Sequence, residues 1–318
     1  MALFKNLTVY RIGPEWSGSA TQIEERLATA RFTECGATQA LSAGWVPPRG
    51  HAHGALVESV AGQWLATLMV EQKLLPAAVV KRRTDELAQR AEHDTGRKPG
   101  RKHLKELKEQ AALELLPMAF TKRASFRVWL DPQRRLLIVD ASSPARAGDV
   151  VTHLVKVLDG LPVAPLQTAL SAATAMAGWL ADGEPPPAFS VDRECELKSD
   201  DEQKSVVRYA RHRLDTDEVR QHIGEGKRPT RLALTWRGRV SFVLTDAAQI
   251  KKLDFLDGVF DAHPGRADAD AAFDADLAIA TGELVQLIPD LVDALGGEAD
   301  PAAGASSRPE PLPELKAA

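Results

Sequence analysis

The sequence predicts an α+β protein built mainly on antiparallel sheet. Two tight turns point that way. Asp131-Pro132-Gln133-Arg134 sits between the apolar runs 125–130 and 135–140, and Arg237-Gly238 sits between 229–236 and 239–245. The order of elements is the second sign: strand, helix, strands, helical insertion, strand pair, helix, an order that recurs in outline with no strict sequence repeat. The third is bulk. With 318 residues, 44% of them apolar, the chain can bury a sizeable core and divide into two or three subdomains.

Each element has a local reason. Residues 3–12 are rich in Leu, Val, Tyr and Ile and read as a strand. Ser19 caps a short helix to about Ala30, with Ile23 and Leu27 on one face. Gly44-Trp45-Val46-Pro47-Pro48 reads as a rigid turn, because Pro-Pro suits neither a central strand nor a helix interior. Residues 63–72 are a strand. Pro76 opens a helix to about His93, and a loop holding Gly96, Pro99 and Gly100 leads to a second helix over 102–116, stopped by Pro117. Leu104, Leu107, Ala111 and Leu115 give it a narrow apolar face against a wide charged one, which suits a projecting helical hairpin. Helices follow over 144–158 and 168–180.

The loop 182–188 (DGEPPPA) is the best candidate boundary. Strands are expected over 189–197, 205–210, 229–236, 239–245 and 250–255, with a short helix over 217–224. Phe273, Leu277, Leu284, Leu287, Ile288, Leu291 and Leu295 step at helical spacing, giving one terminal helix or two, bent near Gly282 or Pro289. The expected division is 1–72 as the N-terminal part of an α+β body, 73–120 as the hairpin and 121–181 as the rest of that body. A second α+β region with the C-terminal helix covers 182–298, and a disordered Pro- and Ala-rich tail covers 299–318.

The net charge of −4 excludes a uniformly basic nucleic-acid binder but hides segregation. Residues 73–135 hold 16 basic and 8 acidic side chains, and residues 204–239 hold 10 and 4. Residues 254–300 hold 12 acidic side chains and one basic, Arg266. Such separation creates local potentials that suit a polyanion partner. Two cysteines, Cys35 and Cys195, make neither a disulfide framework nor a four-ligand zinc site. The absence of a long apolar run and of an export signal makes a cytoplasmic protein the expectation.

Motifs of catalysis are weak. Gly224-Glu225-Gly226-Lys227 fails the spacing of a phosphate loop and reads as a turn. His51-Ala52-His53 has too few neighbouring ligands for a metal. The Asp-rich run 268–276 lacks the central glycine and terminal glutamate of a calcium loop. Glu196 and Lys198, with Asp182 upstream, form the most enzyme-like pattern, since carboxylates with a lysine can hold Mg²⁺ and activate water for phosphodiester cleavage. That leaves a Mg²⁺-dependent nuclease as the alternative to a binding protein. A scaffold for acidic proteins is a third reading.

Several segments together resemble one family. Leu3-Phe4-Lys5-Asn6-Leu7 with Val9-Tyr10-Arg11, Gly44-Trp45-Val46-Pro47-Pro48, and Leu115-Leu116-Pro117 with Ala119-Phe120 are similar to the recombination-associated protein RdgC family. So are Leu161-Pro162-Val163 with Pro165-Leu166, Phe273-Asp274-Ala275-Asp276, Thr281-Gly282-Glu283-Leu284 and Ala294-Leu295-Gly296-Gly297-Glu298. The resemblance covers residues 1–298. It implies a horseshoe-shaped subunit, a ring-shaped homodimer encircling duplex DNA, nucleoid association and restraint of the RecA recombinase. It implies no cofactor and no enzyme activity. The hairpin loop and the Pro-rich tail depart from the family pattern.

On that reading, basic side chains from both regions contact phosphates of double-stranded DNA without sequence preference, with single strands as a lesser partner. The hairpin candidates are Lys73, Lys81, Arg82, Arg83, Arg97, Lys98, Arg101 and Lys102, with Lys122 and Arg123 at its junction. The second region offers Arg208, Arg211, Arg213, Lys227 and Arg228. Phe120, just after the hairpin, is either a core residue or a dimer contact, and aromatic anchors favour the contact.

Overall fold

A computed structural model describes residues 3–260 and 268–299. The expected disordered tail, 299–318, lies outside them except for Ala299, whose N–H donates to the Gln167 carbonyl at 3.0 Å. The elements in chain order are β1 (Leu7–Ile12), α1 (Ala20–Ala28), β2 (Leu41–Val46), β3 (Val57–Val60), β4 (Gln63–Lys73), α2 (Ala77–Thr95), α3 (Arg101–Leu115), a 3-10 turn (Leu116–Met118), β5 (Thr121–Asp131), β6 (Leu136–Asp140) and α4 (Pro144–Val157). There follow β7 (Val163–Pro165), α5 (Ala172–Asp182), β8 (Phe189–Lys198), β9 (Val206–Ala210), α6 (Asp217–Gly224), β10 (Arg228–Trp236), β11 (Val240–Thr245), β12 (Ile250–Phe255) and α7 (Ala269–Ala294). The fold is α+β, and the strand pairings described below are antiparallel.

The chain forms two compact units. Among the described residues one comprises 3–13, 133–148, 162–260 and 268–299; the other comprises 14–132 and 149–161. The loop 182–188 lies inside the first unit.

In the first unit, β1 pairs with β6, β7 and β12, and the order continues through β11, β10 and β8 to β9. Arg237 (φ 47°) and Gly238 (φ 66°) are the central residues of the turn in the three-residue connection between β10 and β11, closed by the Arg239 N–H donating to the Trp236 carbonyl at 2.8 Å. Inward residues of these strands are apolar: Leu232, Leu234 and Trp236 on β10, Phe242 and Leu244 on β11, all buried. α7 buries Leu277, Ala280, Leu284, Leu287, Ile288 and Leu291 along one stripe. It is one helix running through both Gly282 and Pro289, where the sequence left a bend open. The buried indole of Trp236 donates to Asp290 on α7 at 2.8 Å, so a polar tip inside the core keeps a partner.

In the second unit, β4 is the centre, with β2 and β3 pairing to it on one side and β5 on the other. Trp45, Leu65, Leu68, Val128 and Trp129 are buried, and α1 adds Ile23 and Leu27. Ser19 closes a capping box with Gln22, the expected start of α1. The segment expected as a turn at Gly44–Val46 is instead the end of β2, and only Pro47-Pro48 leaves the sheet. The reason is steric. A Cβ on Gly44 would lie 2.4 Å from the Cα of Phe32, so the glycine lets a second stretch of backbone cross the strand, where Arg31 bridges to Trp45.

α2 and α3 fold back on each other around a small core of Val80, Leu87, Leu107 and Ala111. Gly96, left-handed at φ 68°, ends α2. The helix expected over 168–180 starts later, at Ala172 capped by Ser171. Residues before it run extended, with Thr168 bridged to Glu298.

Candidate nucleic-acid interface

The hairpin exposes most of its cations. Lys81, Arg97, Lys98, Arg101, Lys102 and Lys122 are solvent-exposed, and among the described residues none of these side chains has an ion-pair partner. Four of them, Arg97, Lys98, Arg101 and Lys102, cluster within six residues at the turn between α2 and α3. α3 starts there with Gly100 as N-cap, no side-chain cap and no acidic residue in its first turn. The first N–H groups of a helix lack intrahelical acceptors and carry the positive end of its dipole. The turn therefore joins four cations to a set of open backbone donors, an arrangement that accepts an anion such as a phosphate.

The remaining hairpin candidates are held within the fold. Lys73 is 8% exposed, and its ammonium donates to the carbonyls of Ala37 and Leu116 at 2.9 and 2.8 Å. It ties the base of the hairpin to the sheet, and burial removes it from the set of phosphate contacts. Arg83 pairs with Glu114 across the two helices at 2.6 Å and with Glu86 at 2.9 Å. Arg82 is exposed, with Glu86 at 3.8 Å. Arg123 donates to Glu71 at 2.7 Å and also meets Glu34. Glu71 is itself buried. The Cys35 backbone N–H, together with Arg123, holds its carboxyl below the ordinary glutamate value. Arg90, Lys105 and Lys108 are exposed on α2 and α3 as well, and only counting every basic position on the outer helix faces would have found them.

The second basic region is arranged differently. Arg208 donates to Glu196 at 2.6 Å, Arg213 to Asp215 at 2.6 Å, and Arg228 lies 3.1 Å from Asp200. Lys227 is largely covered and donates to Glu225 at 3.2 Å, within the turn that leads from α6 into β10. Arg211 is exposed and unpaired among the described residues. Arg237 and Arg239 pair with Asp290 and Glu283, so part of the acidic C-terminal segment neutralises this region.

The enzyme-like residues do not converge. Glu196 accepts from Arg208 and from the Thr230 hydroxyl at 2.7 Å, and Arg208, the first cause, holds its carboxyl low. Asp182 ends α5, which precedes β8, whereas Glu196 and Lys198 lie at the far end of that strand. At roughly 3.3 Å per residue the strand separates its two ends widely. Among the described residues no group of three or more His, Cys, Asp or Glu is placed to hold a metal ion. Burial pushes the Cys195 thiol up to about 12, consistent with a packed side chain.

Phe120 is 86% exposed, so it is not a core residue. Met118 (75%), Leu41 (49%) and Leu74 (45%) are exposed too, and the Leu74 N–H donates to the Phe120 carbonyl at 2.7 Å. Leu41 pairs opposite Gln72 on β4, which gathers these apolar groups at one end of the β2–β4–β5 sheet.

Fold and surface together define an α+β protein with an open basic helical turn and an exposed apolar cluster at the hairpin base. A family model described as "Putative exonuclease, RdgC" matches residues 2–298. The "Recombination-associated protein RdgC" of Dechloromonas aromatica (strain RCB) is 47% identical over 299 residues, covering 93% of this chain and 98% of that protein. Those of Cupriavidus pinatubonensis and Bordetella pertussis are 47% and 43% identical, each again covering 93% of this chain and 98% of the relative. The chain belongs to the RdgC family. No helix among the described residues is long and apolar enough to cross a membrane.

Proposed function

We propose that this chain is a non-sequence-specific DNA-binding protein that acts as a ring-shaped homodimer around duplex DNA and restrains RecA-dependent recombination by occupancy, in association with the nucleoid. The single observation that carries DNA binding is the α2–α3 turn, where Arg97, Lys98, Arg101 and Lys102 stand unpaired at an uncapped helix start. Contacts of this kind go to phosphates and carry no sequence information. The family's recombination-associated relatives support the biological setting. The apolar cluster around Phe120 supports self-association, because exposed aromatic and aliphatic groups gathered on one surface mark an interface.

The test is duplex binding against salt, on linear and closed-circular DNA of one sequence. Six unpaired cations predict a slope near −5 in log affinity against log salt for each subunit engaged. Complexes that outlast salt on circles but slide from short linear fragments support encirclement. A slope near zero refutes the proposal.

The family description favours a second reading, strand cleavage. Glu196 is the candidate, and it is already engaged by Arg208 and Thr230, which supports binding without cleavage. End-labelled duplex incubated with the protein and Mg²⁺ decides: products that vanish in Glu196→Ala establish the nuclease, and intact DNA with retardation removes it.

A further inference from the structure

Two histidines flank the hairpin turn. His93 lies in the last turn of α2, and His103 is the third residue of α3. Both are exposed, and among the described residues neither ring has a hydrogen-bond or ion-pair partner. Imidazole is the side chain whose ordinary titration falls between about pH 5 and 8. The turn therefore carries two groups that change charge near neutrality, set in a surface of fixed cations.

The two positions differ in their surroundings. Residues 90–106 hold six Lys/Arg and three Asp/Glu. Glu92 and Asp94 adjoin His93 at the carbonyl end of α2, so negative charge is at hand there with or without a bound polyanion. His103 sits in the first turn of α3, after Arg101 and Lys102 and before Lys105, and that turn holds no acidic residue. Glu106 is the nearest carboxylate along its own helix. From α2, which packs against α3, the charged groups near the turn are Arg90, Glu92 and Asp94, and the turn itself adds Arg97 and Lys98. Open N–H groups and neighbouring cations set a positive field around His103 in the free chain. A phosphate seated at this turn brings negative charge to the same place, and a nearby anion favours the charged form of imidazole.

We infer that His103 is a proton-linked phosphate contact: it takes up a proton as duplex DNA docks on the α2–α3 turn, so the grip on DNA tightens as pH falls from about 8 to about 6. The inference rests on the hairpin reading and adds its regulation by pH. The sign follows from linkage. A complex that holds more protons than its separate parts loses affinity as pH rises, and uptake of one proton changes affinity by at most about tenfold per pH unit. The added charge is also one more ionic contact, which steepens the salt slope by about 0.9.

The experiment is anisotropy of the full chain on a labelled duplex at about pH 6 and about pH 8, each over a salt series. Calorimetry in two buffers of different ionisation enthalpy counts the protons exchanged. The wild-type chain should bind about fivefold or more tighter at the lower pH, with a steeper salt slope and net proton uptake. His103→Gln should abolish both the pH dependence and the uptake. His103→Lys should hold the tighter state at both pH values, since its charge is permanent there. His93→Gln should keep the wild-type pH profile. Both positions are exposed on helices, so none of these variants threatens folding. A steep salt slope without pH dependence overturns this inference and leaves the hairpin reading standing. So does a pH dependence that survives in His103→Gln or vanishes in His93→Gln. A salt slope near zero at both pH values overturns the hairpin reading, and this inference with it.

Discussion

The α2–α3 hairpin and the 204–239 region look alike in sequence, each with a surplus of arginine and lysine, but the fold uses the two surpluses differently. Around the hairpin turn the cations stand apart from carboxylates. In the second region Arg208, Arg228, Arg237 and Arg239 are met by Glu196, Asp200, Asp290 and Glu283, every one of them outside the basic window. Net charge over a stretch counts residues. Charge available to a partner is what remains after tertiary pairing, and an intrachain carboxylate must be displaced before a phosphate can replace it.

The largest effect should come from reversing the turn. Arg97, Lys98, Arg101 and Lys102 changed together to glutamate should lower duplex affinity by about 10³ or more at moderate salt and flatten the salt slope by about 4 units, read by anisotropy. A matched pair of alanine sets tests the contrast: Arg208, Arg213 and Arg228 to alanine should shift affinity by less than about threefold, since arginines already paired have little charge left for a partner, whereas Arg97, Lys98 and Lys102 to alanine should cost about tenfold or more. Equal losses from the two sets would break the contrast.

Lys73→Met tests the one hairpin lysine that is buried. It leaves the carbonyls of Ala37 and Leu116 without their donor and should destabilise the chain by about 2–4 kcal/mol in urea, with the salt slope unchanged. Phe120→Ser should weaken self-association by about tenfold or more in sedimentation while the melting temperature of the subunit barely moves, because the ring is already in solvent.

The smallest effect concerns acid. The Glu71 carboxyl titrates lower in the folded chain than its unfolded value near about 4.3, first through the Cys35 N–H and then through Arg123. Its stabilising contribution is therefore complete above that unfolded value and is lost as pH falls through the folded one. Glu71→Gln should remove that part of the acid dependence of unfolding, and a parallel pH profile in wild type and variant would refute the assignment.

Most of the fold was legible because periodicity and punctuation are local. Ser19 with Ile23 and Leu27 announced α1, Arg237-Gly238 announced the β10–β11 hairpin, and the leucines of α7 announced their stripe. Gly44–Val46 was not, because the two prolines after it signal a turn while the reason for the strand is a backbone crossing from Phe32. β3 and β7 were missed for their brevity; four and three residues leave no period to read. For the interface, sequence located the basic hairpin but could not separate Lys73 and Arg83 from Lys98, since partners 31 to 43 residues away decide which charge is buried.

The hairpin is held by few side chains: Val80, Leu87, Leu107 and Ala111, with a fringe of leucines and alanines around them. Its outward positions take little part in that packing, so their identities are open to change at small thermodynamic consequence. A lineage living in brine or in fresh water could retune its grip on a polyanion by exchanging lysine for glutamine along α2 and α3, one turn at a time. The shape presenting those charges would stay the same, which makes this element a site of evolutionary adjustment to ionic strength.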